Sequence, residues 1–202
     1  MPTDLELLDA WKAGKVEAGE ELFDRYFDAL YRFFGNKVTD GIDDLVQQTM
    51  EALQKSRDTF RGDSSFRTFV FGAARNILFK YFERRTRDAQ RFDHETMSVA
   101  DLGESPSRVI AARADQRVLA LALRRIPLDY QIALELYFWE DMTGPQLAAA
   151  LGLKEPAVRS RLRRALELLR KVIAEVAASP EETQSVSLDL DKWASSLRDT
   201  DD

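Results

Sequence analysis

Residues 143–171 read TGPQLAAALGLKEPAVRSRLRRALELLRK. Thr143, with Gln146 three residues later, matches a capping box, which predicts the start of a short helix. Gly152 suits a tight turn, and Pro156 suits the first turn of a second, longer helix. A short helix, a turn with glycine and a longer basic helix have the spacing of a helix-turn-helix. This stretch therefore predicts two packed helices, of which the second is basic.

The second helix of this pair has one apolar and one polar face. Val158, Leu162 and Leu169 point to the core at 100° per residue. The second helix of such a pair usually enters the major groove, where arginine can donate to guanine O6 and N7 together. The outward positions that we expect to contact DNA are Arg159, Ser160, Arg163 and Arg164. The alternative is a solvated helix, which explains neither the capped helix before it nor the scarcity of acid on that face.

Positive charge is concentrated in two segments of an acidic chain. The formal net charge is -6, from 29 basic and 35 acidic side chains. Residues 154–171 nevertheless carry seven basic side chains against two acidic ones, and residues 75–91 carry six against two. Binding to nucleic acid is therefore expected at local basic surfaces and not through the overall charge.

Composition argues against most enzyme classes. The chain has no cysteine and one histidine, His94, so thiolate nucleophiles, Cys-ligated zinc and most His-base chemistry are excluded. His94 falls in a polar segment, where we expect it to be solvated. We expect no catalytic residue, no metal and no cofactor. No apolar run approaches the roughly 18 residues of a membrane span, and the N-terminus lacks the order of a signal peptide. These features predict a cytoplasmic protein without membrane insertion.

Apolar residues recur at helical spacing along nearly the whole chain, which predicts an all-α fold. We expect two small helical domains, over residues 1–91 and 113–176, joined by a flexible linker over residues 92–112. An acidic C-terminal extension follows at 177–202. One predicted helix has a broad buried face and ends near Gly35; its face comprises Leu22, Phe23, Tyr26, Phe27, Leu30, Tyr31 and Phe34.

Residues 60–76 read FRGDSSFRTFVFGAARN, with four phenylalanines around a Gly-Asp-Ser-Ser loop. One interpretation is ordinary packing of these rings. The other is a stacking platform for single-stranded nucleic acid, because exposed rings beside Arg67, Arg75 and Lys80 can stack unpaired bases. Phe60, Phe66, Phe69 and Phe71 are too many for one helical face, but residue counts alone do not decide between the two.

Three blocks, in this order, resemble regions 2.2, 2.3–2.4 and 4 of bacterial sigma factors of the sigma-70 family. The resemblance is to the small extracytoplasmic-function (ECF) group, and it covers nearly everything from residue 20 to 171. The blocks are DDLVQQTMEALQK (43–55), FRGDSSFRTFVFGAARNILFKYFERR (60–85) and LRRIPLDYQIALELYFWEDMTGPQLAAALGLKEPAVRSRLRRALELLRK (123–171).

The resemblance implies an initiation factor that is not an enzyme and gives RNA polymerase its choice of promoter. Its first domain would bind the β′ clamp helices and read the -10 element; its second would read the -35 element through the four helix residues named above and touch the β flap. The implied polymerase-binding residues are Asp43, Asp44, Gln47, Gln48 and Glu51. The implied -10 and melting residues are Arg61, Gly62, Asp63, Ser64, Ser65, Phe66, Phe69, Arg75, Asn76 and Lys80.

Two further readings remain open beside this one. A helix-turn-helix regulator that acts as a dimer without polymerase would leave the aromatic loop unexplained, and an enzyme on nucleic acid lacks an evident site. Promoter DNA and core polymerase are the expected partners, and an anti-sigma factor is a further candidate. In the acidic extension, Trp193 and Leu197 lie at helical spacing. The extension is either a loosely docked terminus or a regulator whose Trp193 docks between the domains while its acids screen a basic helix.

Overall fold

The computed structural model describes residues 1–60, 62, 64–86, 92–104, 114–180, 183, 184 and 186. These residues form eight α-helices and no β-strand, so the all-α prediction is confirmed. The helices are α1 (Asp4–Lys12), α2 (Val16–Gly35), α3 (Ile42–Ser56), α4 (Phe66–Arg85), α5 (Ala114–Leu123), α6 (Leu128–Phe138), α7 (Gly144–Leu151) and α8 (Glu155–Val176). None of the described helices is long and apolar enough to cross a membrane.

Helices α1–α4 pack together, and we call them the N-terminal bundle. The predicted apolar face of α2 supplies Leu22, Leu30 and Phe34, each with no exposed surface. Phe27 departs from the expected buried face, because 46% of it is exposed and it stacks on Tyr31 at the surface. Phe33, which the periodicity did not single out, is buried in its place and packs edge-on against Phe71 of α4.

Helices α5–α8 form the C-terminal bundle, in which α7 and α8 are the predicted helix-turn-helix. The Thr143–Gln146 capping box begins α7, with the Thr143 backbone N–H donating to Gln146 Oε1 at 2.9 Å. Gly152 ends α7 at φ +68°, a left-handed conformation that glycine adopts without strain. Val158, Leu162 and Leu169 of α8 are buried, as predicted.

The first part of the predicted linker, residues 92–104, contains no helix but is anchored. Val99 is fully buried and the Ala100 backbone N–H donates to Arg124 O at 3.0 Å. The Glu104 carboxylate accepts from the Thr39 backbone N–H at 2.7 Å. Flexibility is therefore not a property of this part of the linker, because its backbone and a buried carboxylate are tied to both bundles. Residues 105–112 of the linker lie outside the described part.

The two bundles pack against each other through α4 and α7. A Cβ placed on Gly72 of α4 would lie 3.7 Å from Ala150 O of α7, so the glycine brings the two helix backbones close together. Arg75 of α4 also contacts Asp129 of α6 across this interface.

Candidate nucleic-acid interface

The outward face of α8 is the first candidate surface. The four residues expected to read DNA, Arg159, Ser160, Arg163 and Arg164, are all exposed. Glu155 lies in the first turn, next to the positive end of the helix dipole, and its carboxylate is 3.6 Å from Arg159 NH2. The face therefore presents three guanidinium groups and one hydroxyl within three turns of the start of the helix. Arginine forks in this arrangement suit base edges and phosphates in a groove.

Arg161, on the same helix, turns inward. Its guanidinium contacts the Asp129 carboxylate of α6 and donates to Glu95 Oε1 at 3.2 Å. The side chain is only 14% exposed, so it fastens α8 to α6 and to the anchored linker. The basic charge of α8 is thus divided between exposed arginines on its outward face and a mostly buried ion pair formed by Arg161.

The loop before α4 is the second candidate surface. Gly62 has φ +80°, which requires glycine or a strained backbone. Ser65 is the N-cap of α4, and its hydroxyl accepts from the Thr68 backbone N–H at 3.1 Å. Gly62 is exposed and Ser64 is partly exposed. Arg61 and Asp63, which were also expected at this loop, lie outside the described residues.

The aromatic side chains near this loop divide between core and surface. Phe66 is 1% exposed and packs edge-on against Tyr26, so its ring is not accessible to a base in this conformation. Phe71 is fully buried. Phe69 is partly exposed, and its ring lies 4.7 Å from that of Phe60. Packing therefore accounts for Phe66 and Phe71, while Phe60 and Phe69 form a half-exposed ring pair beside the loop.

The polar side of α4 is only partly accessible. Asn76 and Lys80 are exposed, as a nucleic-acid surface requires. Arg75, in contrast, is 14% exposed and its NH2 lies 3.2 Å from Asp129 Oδ1 of α6. Its guanidinium also lies over the Phe79 ring, 4.4 Å from the centroid. In this conformation Arg75, one of the predicted -10 residues, is therefore paired with Asp129 of the C-terminal bundle.

The exposed side of α3 carries the expected polymerase-binding residues. Asp43, Asp44, Gln47, Gln48 and Glu51 are all exposed, while Leu45, Val46 and Leu53 hold the opposite side in the core. Gln47 Nε2 donates to Glu51 Oε1 at 3.1 Å, one turn apart. The result is a polar and acidic face on a well-packed helix, which suits a protein partner.

Charged side chains are buried where the two bundles meet. Lys37 has no exposed surface; its ammonium group contacts the Glu135 carboxylate of α6 and donates to Phe33 O at 2.8 Å. Burial lowers the pKa of Lys37, and the Glu135 charge opposes that shift. At the rim, Arg67 donates to Glu140 O at 2.6 Å, and the Glu140 carboxylate lies 3.7 Å from Arg32. Burial raises the pKa of Glu140, against the charges of Arg67 and Arg32.

His94 is less solvated than expected: its side chain is 33% exposed and lies at the same interface. Its ring stacks on Phe79, with centroids 4.3 Å apart and planes 6° from parallel. Nδ1 lies 2.9 Å from Asp129 Oδ2 but is not aligned for a hydrogen bond. Asp129 is 1% exposed, and its carboxylate thus lies next to three basic side chains from three parts of the chain. They are Arg75 of α4, His94 and Arg161 of α8.

The roles of Asp129, Glu135 and Glu140 were not evident from the sequence. Lys37 and Glu135 are 98 positions apart, and no helical spacing links them. The sequence offered one signal for these contacts: a carboxylate on the apolar helix α6 has to be buried, and a buried carboxylate requires a basic or hydrogen-bonding partner. The predicted regulatory residues, Trp193 and Leu197, lie outside the described residues. Val186, in the same extension, is 2% exposed and packs in the core.

Comparisons with known families match both bundles. Residues 22–88 match the family described as Sigma-70 region 2, and residues 116–169 match the family described as Sigma-70, region 4. The first match contains α3 and α4 with the loop between them. The second contains α6, α7 and most of α8.

Curated relatives and a solved structure agree with these matches. The chain is 31% identical over 139 residues to the RNA polymerase sigma factor NccH of Alcaligenes xylosoxydans xylosoxydans, covering 66% of this chain and 73% of that one. It is 29% identical over 161 residues to the ECF RNA polymerase sigma factor SigX of Bacillus subtilis, covering 77% and 83%. The fold is similar to that in the structure of CnrH in complex with the cytosolic domain of CnrY, with a TM-score of 0.63, 22% identity and coverage of 85% and 97%.

Proposed function

Because the chain belongs to the extracytoplasmic-function group of the sigma-70 family, we propose that it joins core RNA polymerase and directs initiation at promoters with defined -35 and -10 elements. Sigma factors of this family act in promoter-specific transcription as initiation factors and not as enzymes. We assign the region 2 domain to residues 1–91 and the region 4 domain to residues 113–176, with a linker between them.

Recognition of the -35 element is assigned to α8. The observation that carries this proposal is the exposed group of Arg159, Ser160, Arg163 and Arg164 behind the capped helix α7. Each bidentate contact between arginine and guanine discriminates by about 1–3 kcal/mol against a wrong base.

Recognition of the -10 element is assigned to the loop before α4 and to the exposed polar side of that helix. A base flipped from the non-template strand would enter beside Gly62 and Ser64, near the Phe60–Phe69 ring pair, with Asn76 and Lys80 contacting the adjacent backbone. Stacking on an aromatic ring contributes about 1–3 kcal/mol per base. Phe66 is left out of this role because it is buried.

Polymerase must supply the rest of the melting energy. Opening duplex DNA costs about 1.4 kcal/mol per stacked step, so a bubble of about ten steps costs roughly 14 kcal/mol. One or two captured bases return only a few kcal/mol. We therefore assign the exposed face of α3, from Asp43 to Glu51, to the β′ clamp helices, and a surface of the region 4 domain to the β flap. The chain alone should bind promoter DNA weakly.

An anti-sigma factor is also a proposed partner. The solved complex of CnrH with the cytosolic domain of CnrY supports this idea, since a similar fold is bound there to a second protein.

A run-off transcription assay with purified core polymerase tests the proposed function. We expect Arg163→Ala and Arg164→Ala each to lower initiation from a -35-dependent promoter roughly fivefold to 150-fold, the equivalent of 1–3 kcal/mol. Lys171→Ala is the matched control, because it removes an exposed basic group from the same helix two turns farther on. Its effect should be a weaker dependence on salt and no change in sequence preference.

Two results would contradict the proposal. Failure of the chain to co-elute with core polymerase would remove the initiation role. Equal loss for all three variants, with no change in the preferred -35 sequence, would reduce α8 to a nonspecific phosphate contact.

A further inference from the structure

The last turn of α1 contacts the segment that leads into the loop before α4. Lys12 Nζ donates to the Phe60 backbone carbonyl at 2.7 Å, across 48 positions of sequence. Next to Lys12, the Trp11 carbonyl accepts from Arg57 NH1 at 3.3 Å, and the Arg57 guanidinium lies over the Trp11 ring, 5.2 Å from its centroid. Helix α1 therefore holds both ends of the short segment 57–60.

Helix α1 is itself firmly packed, so its last turn can serve as a fixed support. Leu8 and Trp11 are buried, and the Trp11 ring packs edge-on against Phe23 of α2. The other end of the helix is tied to α2 by an ion pair, with 3.1 Å between Asp4 Oδ1 and Arg25 NH1. The support for residues 57–60 thus belongs to the core of the N-terminal bundle.

The position of Lys12 beside the ring pair gives its ammonium group a second use. Phe60 and Phe69 are the half-exposed pair near which the captured base would enter, with ring centroids 4.7 Å apart. The Lys12 ammonium group lies 5.9 Å from the centroid of the Phe60 ring. Proteins that hold single strands combine these two features, because aromatic rings stack the bases and positive charge follows the backbone.

The Lys12 ammonium group has donors to spare for a phosphate. It carries three N–H groups, of which the Phe60 carbonyl takes one. The side chain is partly exposed, and its flexible stem allows the other donors to turn toward an approaching anion. Asp58, in the same segment, is paired with Arg57 at 2.8 Å from Nε and 3.2 Å from NH2, so its negative charge is offset locally.

We propose that Lys12 is a further residue of the -10 site, which fixes the Phe60 backbone and binds the phosphate next to the captured base. This inference rests on the proposed function, because it assumes that the Phe60–Phe69 pair stacks that base. The ligand is the phosphate backbone of the single non-template strand. Lys12 lies outside residues 22–88, the stretch that matches Sigma-70 region 2, so that match assigns it no role.

Two variants and a control separate the charge of Lys12 from its packing. Lys12→Met removes the charge and the donors but keeps an unbranched side chain of similar length. Lys12→Arg keeps a charge and N–H donors, so it should restore what Lys12→Met loses. Lys15→Met is the matched control, since it makes the same change at an exposed lysine just beyond the end of α1.

Binding of a single-stranded -10 oligonucleotide of the non-template strand is measured on holoenzyme assembled from each variant and core polymerase. We expect Lys12→Met to bind roughly threefold to tenfold more weakly than the parent, because one charge-assisted contact is lost. The slope of log affinity against log salt concentration should become shallower by about 0.7, the contribution of one phosphate on a single strand. Lys12→Arg and Lys15→Met should behave like the parent.

A second oligonucleotide lacks the captured base but keeps its phosphates. The parent should bind it more weakly than the intact strand, and Lys12→Met should bind it more weakly still, again with a shallower salt dependence. Losses that add in this way assign the base to the ring pair and the phosphate to Lys12.

The inference is overturned if Lys12→Met binds the intact strand as the parent does. It is also overturned if the affinity falls with an unchanged salt slope, because Lys12 would then only support the loop. Should Lys12→Met fail to fold by circular dichroism, Lys12→Gln takes its place, since it removes the charge and keeps a side-chain donor, and the same two criteria apply.

Phe69→Ala distinguishes this inference from the proposed function on which it rests. Weaker binding in Phe69→Ala together with parent-like binding in Lys12→Met would contradict the role of Lys12 alone. Parent-like binding in Phe69→Ala would instead contradict the assignment of the captured base to the ring pair.

Discussion

At the scale of single residues, Lys37 and Glu140 show two ways of placing a charge at the contact between the bundles. Lys37 is fully buried, with a carboxylate, a backbone carbonyl and the face of the Phe33 ring around its ammonium group. Glu140 lies at the rim, with two arginines near it. Removing one partner from a buried pair costs about 3–5 kcal/mol, because the other charge stays desolvated. Glu140 is itself only 8% exposed, but its arginines are 41% and 65% exposed, so water reaches the basic side of these pairs.

The raised pKa of Glu140 predicts a pH dependence of stability. Its ordinary value is 4.5, and burial raises it despite the arginines. The folded chain therefore holds this proton where the unfolded chain has released it, so the stability that protonation provides is present below pH 4.5 and is lost as pH rises through the raised pKa. Glu140→Gln cannot ionise. Urea unfolding should show the parent losing stability relative to this variant between pH 4.5 and neutral pH.

The control for this experiment is Glu20→Gln, at an exposed position of α2. Its stability should follow that of the parent at every pH. Parallel curves for the parent and Glu140→Gln would show that burial does not shift the Glu140 pKa.

At the scale of helices, two glycines lie within long helices for different reasons. Gly72 of α4 faces the α7 backbone, where an added Cβ would be 3.7 Å from Ala150 O, an ordinary contact. Gly19 of α2 lies under the Trp11 ring of α1, and an added Cβ would be 2.6 Å from its Nε1. Trp11 is 5% exposed and has little room to move. Substitution of glycine by alanine should therefore change the free energy of unfolding in opposite directions at the two positions.

Gly72→Ala should stabilise the chain by up to about 1 kcal/mol, because alanine is the better residue inside a helix. Gly19→Ala should destabilise it by about 1–3 kcal/mol, because the clash with the indole ring exceeds that gain. Chemical denaturation of both variants beside the parent measures the difference. Equal shifts in the same direction would mean that the α1–α2 packing is looser than described.

The helices themselves were largely predictable from sequence, because local signals specify them. Thr143, Gln146 and Gly152 mark the start and end of α7 through backbone hydrogen bonds within a few residues. Whether each aromatic ring is buried or exposed was less predictable. Phe66 and Phe69 follow the same loop, yet one is buried against Tyr26 and the other is half exposed, because a different helix decides what covers each. The partners of Arg75 and His94 depend on the approach of α6, which no local pattern encodes.

At the scale of the whole molecule, the three candidate surfaces differ in how accessible they are. The named residues of α3 and α8 are exposed, whereas Arg75 of α4 contacts Asp129 of α6 and is only 14% exposed. In this conformation a partner can therefore reach the faces of α3 and α8 more readily than the Arg75 side of α4.

The acidic extension was expected to be either a loosely docked terminus or a regulator, and removing it distinguishes the two. Ending the chain after Val186 removes five acidic and two basic side chains, together with Trp193 and Leu197, and keeps buried Val186 in the core. If the removed acids screen the basic face of α8, binding of -35 duplex DNA should rise severalfold at low salt and less at high salt. Gel-shift titrations at two salt concentrations measure this.

Trp193→Ala in the full chain is the companion variant, since it keeps the charge and removes the proposed anchor. Unchanged DNA binding in both variants would leave the extension without a regulatory role.

The mixed composition of the contact between the bundles has a thermal consequence. Exposure of apolar surface raises the heat capacity and exposure of polar surface lowers it. Separation of the bundles uncovers both kinds, from α7 and Gly72 on one side and from Lys37 and Glu135 on the other. The two contributions have opposite signs, so separation of the bundles should change the heat capacity less than exposure of a purely apolar contact of the same area.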